Sequence, residues 1–255
     1  MITPSRQQDL IEAANILLDA RRTTTPIPEL PAALIPQSQE EAYFVQDTMA
    51  TAYGPIGGWK VGAPSPEATP AFAPMPTAWI AANHATLHGN RWRAVEAEFA
   101  FHMATDLPPR PTPYTRAEVT AAIASCHPAI EVLELGLIDY TAVNKFSAMA
   151  DMQMHGGFVY GTAIPNWQSI NFANESVTVV IDGVVRVERT ASNPGGTDLL
   201  RLMLYLANEG ASRTGGLKKG DWITTGSWTG NSVAPANAPV TAKFTSAEPV
   251  TLTFA

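Results

Sequence analysis

Three glutamates and one lysine are the residues of this 255-residue chain whose types and spacing suggest chemistry. Glu96 and Glu98 lie two apart in Val95-Glu96-Ala97-Glu98-Phe99. In a strand, side chains two apart share a face, so the two carboxylates would project together. Like charges side by side repel unless a positive group lies between them. Glu131, in Pro128-Ala129-Ile130-Glu131-Val132-Leu133, is flanked by apolar residues. It lies either on the solvent side of an edge strand or in the interior with a partner. Three such carboxylates could bind a hard divalent cation, Mg²⁺ or Mn²⁺, leaving positions open for water and a chelating substrate. The alternative is an exposed strand with a polar face.

Lys60 stands in Gly57-Gly58-Trp59-Lys60-Val61-Gly62. Either it snorkels to solvent, or it is a cation beside the carboxylates that holds an anionic substrate or assists proton transfer. The glycines would let backbone and ligand approach closely. His155, just before Gly156-Gly157, is an acid–base candidate because imidazole titrates near neutral pH; the competing reading is a hydrogen-bonded or surface histidine. Glu67, in a proline-rich loop, is either a mobile lid acid or a solvated charge. The other histidines show no metal-ligand spacing, and Cys126 reads as a small buried residue.

These residues need strands to carry them. Residues 92–103 alternate and predict a strand, as do 59–63, 129–135, 158–162, 221–225 and 240–254. Residues 177–188 read as a hairpin turning at Asp182-Gly183. Helices are predicted over 5–22, where Arg21 and Arg22 would favour the C-terminal end of the dipole, and over 39–53, with Ser38 and Glu41 as a capping box. Two more are predicted over 115–125 and 197–209. Residues 64–76 contain five prolines and read as a loop or lid. The order of elements is not the βαβα rhythm of a doubly wound sheet. It predicts an α/β (α+β) chain with a curved mixed β-sheet or barrel flanked by helices. Residues 1–55 read as a helical subdomain and 56–255 as a mixed-β catalytic domain.

Charged residues make up only 15% of the chain, which leaves neutral surface for subunit contacts. The net charge of −7, without a Lys/Arg cluster, argues against nucleic acid as a partner. One cysteine excludes an intramolecular disulfide. No apolar run approaches the ~18 residues that span a bilayer, and the N-terminus has no signal-peptide pattern, so no membrane and a cytoplasmic location are expected.

Read in order, Leu17-Leu18-Asp19-Ala20-Arg21-Arg22, Glu41-Ala42-Tyr43-Phe44-Val45-Gln46, Gly58-Trp59-Lys60-Val61-Gly62, Val95-Glu96-Ala97-Glu98, Pro128-Ala129-Ile130-Glu131, Ala150-Asp151, Phe158-Val159-Tyr160-Gly161, Tyr205-Leu206-Ala207-Asn208 and Lys219-Gly220-Asp221-Trp222-Ile223-Thr224-Thr225-Gly226-Ser227 resemble the 2-oxopent-4-enoate hydratase and 4-oxalocrotonate decarboxylase branch of the fumarylacetoacetate hydrolase superfamily. The resemblance spans roughly residues 10–245. It implies a mixed β-sandwich roll, usually a homo-oligomer, in which Glu96, Glu98 and Glu131 hold Mg²⁺ or Mn²⁺ and Lys60 is the active-site lysine. Thr225, Gly226 and Ser227 would border the substrate, with Phe72 beside it. The implied function is a metal-dependent lyase on a small 2-oxo acid, hydrating a 2-hydroxy-2,4-dienoate in aromatic or related catabolism. Alternatives are a 4-oxalocrotonate-type decarboxylase, an acylpyruvate C–C hydrolase, or a catalytically silent subunit that binds a metabolite or pairs with a related pathway enzyme.

Two departures from the branch stand out. Ala71-Phe72 replaces an Asp-Phe pair, removing a loop carboxylate, and Met152-Gln153-Met154-His155 replaces an Asn and small residues. His155 is the candidate to supply the lost acid–base function.

Overall fold

The computed structural model describes residues 2–88 and 91–255. It opens with two helices, α1 (Pro4–Arg22) and α2 (Gln39–Tyr53). Then come β1 (Ile56–Gly62), β2 (Ala71–Pro76), β3 (Ile80–Ala82), β4 (Ala85–Leu87) and β5 (Ala94–Met103). The middle holds α3 (Arg116–Ala121), β6 (Ile123–Leu133), α4 (Lys145–Ala150), β7 (His155–Tyr160), β8 (Ser176–Ile181) and β9 (Val184–Thr190). The chain closes with α5 (Leu199–Asn208), α6 (Ala211–Thr214), β10 (Trp222–Thr224), β11 (Ser232–Val233), β12 (Pro239–Phe244) and β13 (Val250–Phe254).

Two mixed sheets form the body. The larger runs β2-β1-β10-β5-β6-β7-β3, with β11 also paired to β5; the smaller runs β4-β13-β12-β8-β9. Strand alternation sets the layers. Val95, Ala97, Phe99 and Phe101 of β5 share a core with Val177, Val179, Val240, Phe244, Leu252 and Phe254 of the smaller sheet. The intervening residues of β5, including both glutamates, face the other side. A second core joins Leu10, Leu17, Val45 and Met49 of α1 and α2 to Leu137, Ala150 and Met152. Apolar burial at about 25 cal/mol per Å² drives both layers together.

Local signals account for most boundaries. The Thr115 side chain accepts from Glu118 N while Glu118 reaches back to the Thr115 backbone, the expected capping box. That helix stops at Ala121, however, because Ile123, Ser125 and Cys126 pair with Met103, His102 and Phe101 of the long β5. Strand pairing overrides the helical reading of 122–125. At α2 only half of the predicted box forms: Ser38 Oγ accepts from Glu41 N, but the Glu41 carboxylate binds Gln37 N and Arg6. The proline-rich stretch is loop only in part. Ala71–Pro76 is β2, an edge strand, where prolines need not supply ladder donors.

Gly58 has a steric role different from ligand approach. A Cβ there would stand 1.9 Å from Trp222 O, so glycine lets β1 lie against β10. Among the described residues no helix is long and apolar enough to cross a membrane.

Candidate metal centre and active site

Register brings the glutamates together. Glu96 pairs directly with Glu131 across β5 and β6, and Glu98 follows two residues along the same face. One carboxylate oxygen from each of Glu96, Glu98 and Glu131 lies within 4.8 Å of the others. Metal–oxygen distances of about 2.0–2.1 Å for Mg²⁺ or 2.3–2.6 Å for Ca²⁺ put opposing ligands about 4–5 Å apart, so this spread suits one hard cation.

The free oxygens support that fit. Glu131 Oε1 takes Lys60 Nζ at 2.7 Å and His155 Nδ1 at 2.8 Å, while the buried Glu131 Oε2 has no protein partner. Glu98 Oε2 accepts from Thr224 Oγ1 and from Gly226 N at 3.0 Å. The Ser227 hydroxyl serves Glu96. A buried carboxylate oxygen left without a donor is costly. A divalent cation would satisfy it, and the all-oxygen donor set suits Mg²⁺, Ca²⁺ or Mn²⁺.

Electrostatics separate the three acids. Burial, then the neighbouring Glu131, pushes Glu96 up to about 7 against the pull of Lys60. Burial and both neighbouring carboxylates raise Glu98 well above the usual range. At Glu131 burial is again the largest single influence, but Lys60 and the His155 hydrogen bond together outweigh it and hold the acid at about 2. Burial would lower Lys60, yet the three carboxylates together raise it, so it carries an ammonium. Burial holds His155 below its ordinary value despite Glu131. Its neutral ring donates through Nδ1 to Glu131, and its buried Nε2 has no partner.

The turn that delivers His155 is unusual. Met152, Gln153 and Met154 have φ of 52°, 47° and 66°, three successive non-glycine residues in the left-handed region. Each costs roughly 1–2 kcal/mol. The conformation turns the Gln153 carbonyl onto Lys60 Nζ at 3.0 Å.

A cavity of about 360 Å³ opens over the cluster, and Lys60, Glu96, Glu98, Glu131, Gly226 and Ser227 all line it. Other expected site residues lie elsewhere. Phe72 is 3% exposed, with its ring against Tyr43, Trp59 and Tyr205; its neighbour Ala71 lines the cavity instead. Thr225 is buried with its hydroxyl on Phe99 O, and it is Thr224 that reaches Glu98. His155 is buried behind Glu131, as in the hydrogen-bonded reading. Glu67 lies exposed in the loop, outside the cavity lining. Sequence reasoning missed Thr224, although its place one residue before the Thr225-Gly226-Ser227 strand end marks it. Arg21 and Arg22 both lie in the last turn of α1 as expected, but Arg21 is buried, whereas Arg22 pairs with Asp19 at the surface.

No family model matches the sequence, and no curated protein matches it. Solved structures do. A 4-oxalocrotonate decarboxylase from Pseudomonas putida G7, complexed with magnesium and adipate, is 20% identical over 100% of both chains, with a TM-score of 0.84. A protein assigned to the fumarylacetoacetate hydrolase family from Yersinia pestis CO92 is 15% identical over 79% of this chain and 93% of its own, with a TM-score of 0.55. This chain has the fumarylacetoacetate hydrolase fold. A 5-carboxymethyl-2-hydroxymuconate delta-isomerase from Mycobacterium smegmatis shares that fold over 78% of this chain and 80% of its own, at 17% identity and a TM-score of 0.56.

Proposed function

We propose that this chain is a divalent-metal-dependent lyase that hydrates a 2-hydroxy-2,4-dienoate or a closely related monocarboxylate. The carrying observation is the cluster of half-buried Glu96 with buried Glu98 and Glu131 beside a charged Lys60 in one cavity. Glu96, Glu98 and Glu131 would hold Mg²⁺ or Mn²⁺, which when bound supplies a Lewis acid for the 1-carboxylate and 2-oxo oxygens of the substrate.

The protein groups then have distinct tasks. Lys60 Nζ carries three protons, and its two protein acceptors, Glu131 Oε1 and Gln153 O, leave one for a substrate oxygen or for a carbon that takes up a proton. Glu131 keeps that lysine charged, and His155 fixes the plane of Glu131 from behind. Thr224 and Gly226 both hold Glu98 through Oε2, which leaves Oε1 available to a cation. The apolar walls, among them Val61, Ala63, Ala148, Met149 and Pro194, exclude water from the substrate's tail.

The lining also favours hydration over decarboxylation of a dicarboxylate. Among the described residues Lys60 is the one cation that lines the cavity, and it is engaged with Glu131. A second substrate carboxylate, at the end remote from Lys60, would find no further cation in the lining, and burying a lone carboxylate costs several kcal/mol.

The test is an ultraviolet turnover assay with Mg²⁺ or Mn²⁺ on 2-hydroxypenta-2,4-dienoate and 4-oxalocrotonate, with EDTA as control. EDTA-sensitive loss of the dienoate with formation of a hydrated product is expected. Turnover of 4-oxalocrotonate alone would overturn the hydratase assignment in favour of a decarboxylase. Turnover of neither would overturn it in favour of acylpyruvate hydrolysis or a non-catalytic role in a complex.

A further inference from the structure

Arg21, in the last turn of α1, is 6% exposed, and its guanidinium reaches across the fold. Nε donates to Asp151 Oδ1 at 2.5 Å and Nη1 to His155 O at 2.8 Å. Nη2 donates to Asp151 O at 2.8 Å and Glu134 O at 2.9 Å. Asp151 Oδ2 in turn accepts from Gly136 N at 2.7 Å. One planar group therefore holds both ends of the turn, Asp151 after α4 and His155 at the start of β7, and ties them to Glu134, just past the end of β6.

Between those ends lie the three left-handed residues, whose local preference is for a different backbone. Two contacts to the cluster leave from this segment. The Gln153 carbonyl accepts from Lys60, and the His155 ring donates to Glu131. Without the clamp, the turn is free to relax to right-handed conformations, which would move both groups.

We propose that Arg21 is a positioning residue for the cation site, holding residues 151–155 so that Gln153 fixes Lys60 and His155 fixes Glu131. The role rests on the reading of the three glutamates as cation ligands. It asks for a planar fork with donors on two edges; a lysine keeps the charge beside Asp151 but cannot reach four acceptors on three residues. Arg21 also lines a separate cavity of about 910 Å³ on the outer side of β7, so a small guanidinium can enter if the side chain is removed.

The experiment measures Mn²⁺ binding by electron paramagnetic resonance for the full wild-type chain, Arg21→Lys and Arg21→Ala, with circular dichroism to confirm folding. Both variants are expected to bind Mn²⁺ about tenfold or more weakly than wild type. Millimolar methylguanidinium should restore the Ala variant and leave wild type unchanged. Should the Ala variant not fold, the Lys variant decides. A folded variant with wild-type Mn²⁺ affinity overturns the positioning role alone. A wild-type chain that binds no Mn²⁺ overturns the cation-site reading, and the positioning role with it.

Discussion

The β8–β9 hairpin and the turn at residues 152–154 both place residues in the left-handed region, for opposite reasons. At the hairpin Asp182 and Gly183 have φ of 52° and 75°, the geometry of a primed turn, and Asp-Gly is the dipeptide that suits it. Val177, Val179 and Ile181 alternate inward beside it, so turn and register agree. At residues 152–154 the chain uses Met, Gln and Met, none of which prefers φ > 0. Their conformation comes from contacts distant in sequence, through Arg21, Asp151, Glu134 and Lys60. The hairpin serves the fold. The turn opposes its local preference, and it meets the carboxylate cluster, where such strain is commonly found.

Four substitutions sharpen that contrast. The largest effect is expected at Lys60→Met, which removes the charge beside Glu131 and the donor available to substrate. Steady-state assays should show kcat lower by about 10² or more; a change within twofold would return Lys60 to the role of a snorkelled cation.

A smaller effect is expected on the stability of metal-free protein. Glu96 and Glu98 titrate higher in the folded chain than the ordinary value of 4.5. Their stabilising contribution is therefore fully present below about pH 4.5 and lost as pH rises through their folded values, about 7 for Glu96. In EDTA, Tm should fall from pH 5 to pH 8, and more shallowly for Glu98→Gln. Equal slopes would show that Glu98 does not bear this repulsion.

The smallest effect contrasts the two turns directly. Gly183→Val should cost roughly 1–2 kcal/mol and lower Tm without touching Mn²⁺ binding. Gln153→Gly keeps the carbonyl that meets Lys60 and removes a left-handed side chain, so Tm should hold or rise. A fall in Tm for Gln153→Gly as large as that for Gly183→Val would erase the distinction.

What could be read in the sequence follows the same division. Alternation in β5 puts Glu96 and Glu98 on one face, and the hairpin and capping box at Thr115 are written within a few residues. The pairing of Glu96 with Glu131 is a matter of register between distant strands, which no local pattern encodes. The same is true of β6 extending back to Ile123, of Ala71–Pro76 joining a sheet edge, and of Phe72 turning to the core. Arg21 shows the limit most sharply. Its position at a helix end suited a dipole role, and only the docking of α1 against residues 134–155 reveals a buried clamp.

The most direct test of the account is Mn²⁺ binding to wild type and Glu98→Gln, followed by electron paramagnetic resonance at neutral pH with and without pyruvate. One Mn²⁺ per wild-type chain is expected, with a spectrum that changes when pyruvate is added, and with loss of that binding in a Glu98→Gln protein that remains folded. Equal Mn²⁺ binding by both proteins, or none by either, would contradict the assignment of Glu96, Glu98 and Glu131 as the cation site.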